Sequence, residues 1–295
     1  MRSRGFICGI IWMVIAQILF AISWAAIKSI GDRLPLFELV FFRGFISLLI
    51  LIPFTIWKEK TIRGKNYPAL FLRSLFGFLA MALAFYAMVK MDIGNASVLF
   101  NTLPIFVALL APPILGEAFS YRKLILVLVA FVGIGFILKP DQNILAGAST
   151  YALIAGFLGA LSMLCVRKMA TSDSAIIITL YFTAFTAACS APFALTESLH
   201  PTMTEWGWLL LIGVALTAAQ VFMAHAYKFG HASTIAPFSY VSVISAYLLG
   251  VWMFGELPDI WSALGAAIII LSGIGIMLTK PTTARREQIR TAKVT

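Results

Sequence analysis

Polar side chains set inside otherwise apolar sequence are where this 295-residue chain could do chemistry. Arg43 stands in LPLFELVFFRGF, roughly seven residues and so about 10 Å inside an apolar run. Asn101 and Thr102 precede Pro104 in NASVLFNTLPIF, and Pro237, Ser239, Tyr240 and Ser242 follow one another in STIAPFSYVSVISAYLLG. Gln220 lies deep in a third run, and Trp24 and Tyr86 lie in two more. A guanidinium can hold a carboxylate, amides and hydroxyls can hydrogen-bond a polar head, and aromatic faces can stack on a ring. That is solute holding rather than bond making. We expect Trp24, Arg43, Tyr86, Asn101, Gln220, Ser239 and Tyr240 to contact a substrate, with Lys28, Arg73 and His225 in a coupling or charge role.

Each of these residues also has a plainer reading. An indole near the end of a span anchors at the membrane interface, which would suit Trp24. Arg43 could snorkel and pair with Glu38 or Asp32, and Arg73, close to the basic joint Lys58 to Lys65, could snorkel toward it. His225 could be a hydrogen-bonded structural residue. Ser162, with Gly156, Gly159 and Ala160 in GALSMLCVRKM and just before it, would let helix backbones approach closely.

The elements that must position these residues are membrane helices. Hydrophobic residues make up 61% of the chain and charged residues 12%, against about 45–50% and 25% in soluble domains. Ten apolar runs of roughly bilayer-spanning length cover 6–27, 36–57, 68–89, 93–115, 122–139, 147–166, 175–195, 206–227, 232–254 and 260–279, and no soluble domain fits between them. The first run follows Arg2 and Arg4, is longer than a signal-peptide core and lacks an A-x-A-like cleavage site, so we expect it to remain as a helix.

The chain also repeats itself. PIFVALLAPPILGEAFSYRKLILVLVAFVGIGFILKP, from Pro104 to Pro140, returns from Ser242 as SVISAYLLGVWMFGELPDIWSALGAAIIILSGIGIMLTKP. Both copies carry Gly-Glu (Gly116-Glu117, Gly255-Glu256), then Gly-Ile-Gly (133–135, 273–275), then Lys-Pro (139–140, 280–281). A duplication of five helices inserts its copies with opposite orientation. The expected fold is therefore all-α and integral to the membrane: ten transmembrane helices as two inverted five-helix repeats. The first repeat covers 1–140, the second 141–281, and a basic cytoplasmic tail 282–295. Such repeats, with helices broken at matching positions, are the mark of secondary transporters that bind solute near the midplane. The fifth and tenth runs lack polar handles, and we expect them at the periphery or on a dimer face.

Charge placement fixes the expected orientation. If both termini are cytoplasmic, that side collects sixteen Lys and Arg residues, including Lys58, Arg63, Arg122, Arg167 and Lys228, against Lys28, Arg33, Lys90 and Lys139 outside. This is a positive-inside bias, so the net charge of +10 is an orientation signal rather than a nucleic-acid footprint.

Several functions are disfavoured. An intramembrane enzyme needs a nucleophile with a base, or clustered metal ligands. His225 is the one deep histidine, His200 and His231 fall in joints, and Cys8, Cys165 and Cys189 show no ligand spacing. We expect no cofactor and no metal. No Gly-x-x-x-x-Gly-Lys-Ser/Thr loop supports ATP hydrolysis. A channel or scaffold without solute turnover is the alternative within the membrane class, although an internal inverted repeat argues for alternating access. No Asp or Glu lies at mid-helix, so exchange or facilitated diffusion is as open as proton coupling. The expected partners are a small-molecule substrate and the lipid bilayer, with no nucleic acid, and the protein is a monomer or homodimer.

FFRGF (41–45), AFYAMVKMDIGNAS (84–97) and the paired Gly-Glu, Gly-Ile-Gly and Lys-Pro ends resemble the EamA-type transporters of the drug/metabolite transporter superfamily, over essentially the whole chain. The resemblance implies ten helices in two inverted halves, no ATPase, and a cavity lined mainly by the first, third, fourth, sixth, eighth and ninth. LRSLFGFLAMALAFYAM (72–88) and HASTIAPFSY (231–240) look most like the branch with S-adenosylmethionine carriers of intracellular bacteria. Amino-acid exporters and riboflavin carriers share enough of the pattern to stay open. The implied setting is the bacterial inner membrane.

Overall fold

A computed structural model describes residues 2–115, 121–138, 147–169, 172–196, 201–229 and 236–279. Within them every regular element is helical. In chain order these are α1 (Arg2–Ile30), α2 (Leu36–Glu59), α3 (Tyr67–Lys90), α4 (Ile93–Phe100), α5 (Leu103–Leu115), α6 (Tyr121–Leu138), α7 (Ala148–Met169), α8 (Ala175–Thr196) and α9 (Met203–Phe229). A short 3-10 turn (Ala236–Tyr240), α10 (Val241–Leu249), a π turn (Gly250–Phe254) and α11 (Ile260–Leu278) follow. Eight helical spans among the described residues are long and apolar enough to cross a membrane, α4 and α5 together forming one of them. Of the ten expected runs, the fifth folds as the 18-residue α6. The ninth holds a shorter apolar helix, Phe238–Phe254. Gly116-Glu117, Lys139-Pro140, Lys280-Pro281, His200, His231 and the 282–295 tail lie outside the described residues.

Local chemistry sets the helix ends. α2 follows Pro35 and closes at Lys60, whose φ of 56° turns the chain while its N–H donates to the Ile56 carbonyl. α3 starts where the Asn66 side chain accepts from the Ala69 N–H, with Pro68 in the first turn, a position where its missing N–H costs nothing. Gly255 ends the ninth run with φ of 69°, a conformation that glycine adopts without steric penalty.

The fourth span breaks at Asn101-Thr102, as its proline implies. Pro104 has no N–H to give the Phe100 carbonyl. The turn is held by Asn101 Nδ2 donating to Ser97 O (2.8 Å) and Thr102 Oγ1 to Leu99 O (2.6 Å). In the ninth run the Pro237 turn precedes α10, and Ser242 Oγ donates to Ser239 O (2.8 Å).

Helices pack in discrete pairs: α1 with α9, α3 with α7, α2 with α8, and α6 with α11, while α10 lies on α1 and α4. Small residues permit this closeness, since in lipid there is little hydrophobic drive between helices. A methyl at Gly133 would meet the Gly265 carbonyl at 2.9 Å, and one at Gly265 would meet the Gly133 carbonyl at 2.6 Å. Gly133 of the fifth run and Gly265 of the tenth are thus packed on each other inside one chain, while Gly135 faces open space. Gly156 similarly admits Thr102 and the Leu99 and Phe100 carbonyls, which is the packing reading of that stretch. Large apolar side chains such as Leu49, Leu128 and Leu271 remain exposed around the bundle. So do the indoles Trp57, near the end of α2, and Trp252 and Trp261, flanking Gly255.

Candidate functional site

Arg43 and Arg73 come together from α2 and α3 over one ring. The Phe182 ring of α8 has the Arg43 guanidinium carbon 5.2 Å and the Arg73 guanidinium carbon 4.4 Å from its centroid. Arg43 is only 4% exposed, and its Nε and Nη1 have no hydrogen-bond partner. Arg73 Nη1 donates to Ser162 Oγ on α7 (2.7 Å), and that hydroxyl donates back to the Arg73 carbonyl (2.9 Å). Arg73 Nε is buried without a partner. Gly77 makes room, because a methyl there would meet both Arg73 Nη1 and the Phe182 ring. Arg73 therefore turns into the bundle and does not snorkel. Nor does Arg43 pair with Asp32, which is held by Lys90 at 3.0 Å.

Thr186 follows Phe182 by one turn of α8, and its buried hydroxyl also lacks a partner. The seventh run was not singled out from sequence, so Phe182 and Thr186 were missed. The signal available was the recurrence of Thr179, Thr183, Thr186 and Ser190 in an apolar helix.

A second group surrounds the break. Trp24 is buried, stacked on Phe20 and edge-on to Phe100, each with centroids 6.3 Å apart. It is a core residue and not an interface anchor. Asn101 follows Phe100 directly. Thr102 and Arg73 both sit against α7, at Gly156 and at Ser162 respectively; six residues along a helix span about 9 Å. The arginine pair and the break are thus a small molecule's length apart. Tyr240 is buried, its hydroxyl without a partner and pressed on Gly273 of α11. Gln220 and Ser239 are half-buried.

Three expected residues stand elsewhere. Tyr86 meets Tyr151 edge-on at 5.0 Å and shares the exposed stripe of α3 with Leu72 and Leu79, away from Arg73. Lys28 is already engaged: it pairs with Glu256, donates to the Met91 carbonyl (2.6 Å) and lies over the Phe254 ring. It is not available to a substrate carboxylate here. His225 is in α9, with its side chain outside the described residues.

Among the described residues, contacts between the halves bridge both ends of the bundle. At one, Glu256 joins Lys28 and accepts the Ile93 N–H (2.9 Å) that opens α4. Tyr247 O–H donates to Asn95 Oδ1 (2.7 Å), and Arg33 pairs with Glu205 at 2.7 Å. At the other, Asp173 accepts the Lys65 and Asn66 N–H groups (2.6 and 3.2 Å) and the Ser172 hydroxyl (2.7 Å), while Tyr181 Oη accepts from the Gly64 N–H. Desolvation pushes the Asp173 carboxyl up, but these hydrogen bonds and the Lys65 charge together hold it below the usual carboxylate range.

The profile of the EamA-like transporter family matches this sequence twice, at residues 7–139 and 147–278. The chain belongs to the EamA-like transporter family. Among its curated relatives, a Rickettsia prowazekii protein named S-adenosylmethionine uptake transporter is 26% identical, the alignment covering 94% of this chain and 95% of that one. The pseudopaline exporter CntI of Pseudomonas aeruginosa is 29% identical, covering 92% and 96%. A solved crystal structure superposes with a TM-score of 0.65 at 17% identity, over 98% of this chain and 100% of that one; at that identity the likeness concerns fold alone. By family and relatives this EamA-like protein is an integral membrane transporter.

Proposed function

We propose that this chain is a secondary transporter of a small amino-acid-like or S-adenosylmethionine-like solute, working by alternating access between two inverted five-helix halves, 1–140 and 141–281. The observation that carries this reading is the pairing of helices. Exchanging the halves turns the α1–α9 pair into the α7–α3 pair, and returns α2–α8, α6–α11 and α4–α10 onto themselves. A pseudo-two-fold of that kind, with matching helix breaks at Asn101-Thr102 and Ala236–Tyr240, is what rocking-type transporters use. Both end closures join one half to the other, Lys28 and Ile93 to Glu256, Lys65 and Asn66 to Asp173. Each is a contact that opening on its own side must break.

Sixteen basic residues in the even-numbered joints and termini support an orientation with both termini in the cytoplasm of a bacterial inner membrane. The Asp173 end is then cytoplasmic and the Glu256 end external. Trp24, Phe100, Asn101, Gln220, Ser239 and Tyr240 would line the solute's path beside the arginine pair, as a mostly apolar site with a few placed polar groups. The solute classes are those the relatives' names supply.

Proteoliposomes of the full chain test this. Labelled S-adenosylmethionine or an amino acid should enter faster when the same unlabelled compound is preloaded inside. Uptake indifferent to preloading, together with single-channel currents, would sink alternating access.

A further inference from the structure

We infer that Arg43 and Arg73, set over the Phe182 ring with Thr186 one turn away, form a carboxylate-binding subsite, and that the solute carries a carboxylate. The inference rests on the transporter reading above and narrows its substrate class.

Two guanidiniums over one ring are like charges in a dry interior, where a charge is tolerated when paired and fully hydrogen-bonded. Here they are neither. The ion pairs of the described residues are Lys28–Glu256, Arg33–Glu205 and Lys90–Asp32, and none includes Arg43 or Arg73. Three guanidinium nitrogens, Arg43 Nε and Nη1 and Arg73 Nε, are buried without acceptors, and so is the Thr186 hydroxyl. All four orphaned atoms can donate. The ring offers cation–π attraction, which offsets part of the cost of a buried cation but supplies no oxygen or nitrogen acceptor. Ser162 satisfies one Arg73 nitrogen and fixes that side chain's direction. What the group lacks is an anion with more than one acceptor, and the two oxygens of a carboxylate can take hydrogens from both guanidiniums. The burial of Arg43 argues for a solute that enters the bundle, not a lipid headgroup outside it.

The test uses purified full-length protein, with unfolding followed by intrinsic fluorescence across S-adenosylmethionine and the common L-amino acids. Each acid that binds is paired with the amine left by removing its carboxyl group. At least one acid should raise the unfolding temperature while its amine does not, and Arg43→Gln and Arg73→Gln should each weaken that acid at least tenfold. Arg43→Met guards against a folding artefact: without solute its unfolding temperature should hold or rise, because an unpaired buried cation has been removed. The subsite is overturned if no acid binds, if amine and acid bind equally, if Arg43→Gln leaves affinity unchanged, or if Arg43→Met alone unfolds several degrees earlier. An amine transported in proteoliposomes without its acid would defeat the subsite and keep the transporter. An acid that binds through Arg43 but never crosses would do the reverse.

Discussion

At each end of this bundle a carboxylate from the C-terminal half reaches the start of a helix in the N-terminal half, yet the two contacts are built from different materials. Glu256 divides its oxygens between the Lys28 ammonium and the Ile93 N–H. Asp173 spends both of its oxygens on the Lys65 and Asn66 amides and the Ser172 hydroxyl. The first closure combines an ion pair, which needs both side chains, with one backbone hydrogen bond. The second is anchored in backbone, so on its partner's side no side-chain replacement removes it. If the halves rock, the Glu256 end is the one whose contact side-chain replacement can weaken from either half, at Lys28 or at Glu256.

The largest effect should come from Glu256→Ala, which strands Lys28, whose side chain is 16% exposed, and frees the Ile93 amide. We expect a loss of about 2–4 kcal/mol, between the values for exposed and fully buried pairs, and faster hydrogen exchange at Ile93 but not at Lys65 or Asn66. The double change Lys28→Met with Glu256→Met should restore most of the stability; failure to do so would deny the pair its role. Asp173→Ala should cost about 1–2 kcal/mol and deprotect Lys65 and Asn66, leaving Ile93 as it was. Equal deprotection at both ends after either change would erase the distinction between them. Tyr247→Phe removes the single bond to Asn95 at the Glu256 end, worth about 1 kcal/mol, and its calorimetric cost should vanish in an Asn95→Ala background. The smallest effect is with acid. A carboxyl held below its usual value stabilises fully above the unfolded value of about 3.9, and that contribution fades as pH falls through the lower, folded value. Mild acidification to about pH 5 should therefore leave the protection of Lys65 and Asn66 intact once intrinsic rates are corrected, and only stronger acid should weaken it.

The extent of the apolar helices was readable from the amino-acid order, and direction around each helix was not. The runs, the break at Pro104 and the buried position of Arg43 follow from hydropathy, proline geometry and distance from a helix end. Tyr86 and Arg73 show the limit. They occupy one apolar helix whose lipid side and protein side are equally hydrophobic, so no amphipathic pattern tells which faces inward. Tyr86 points out and Arg73 points in, toward Ser162 and Phe182. Lys28 and Glu256 are 228 positions apart, and their meeting depends on how the halves dock. Trp24 was legible as a large ring near a helix end, but its burial required Phe20 and Phe100 to be placed around it.

The exposed indoles Trp57 and Trp252, on opposite ends of the bundle, add a constraint of another kind. Indoles prefer the headgroup layer, and the stretch from Leu36 to Trp57 spans about 32 Å at 1.5 Å per residue, near the roughly 30 Å of hydrocarbon it would cross. The molecule thus carries its own ruler for the bilayer. Shorter acyl chains would leave it too tall, to be met by tilt or local thickening at fractions of a kcal/mol per Å, a hydrophobic mismatch that turns lipid chain length into a load on whichever end must open.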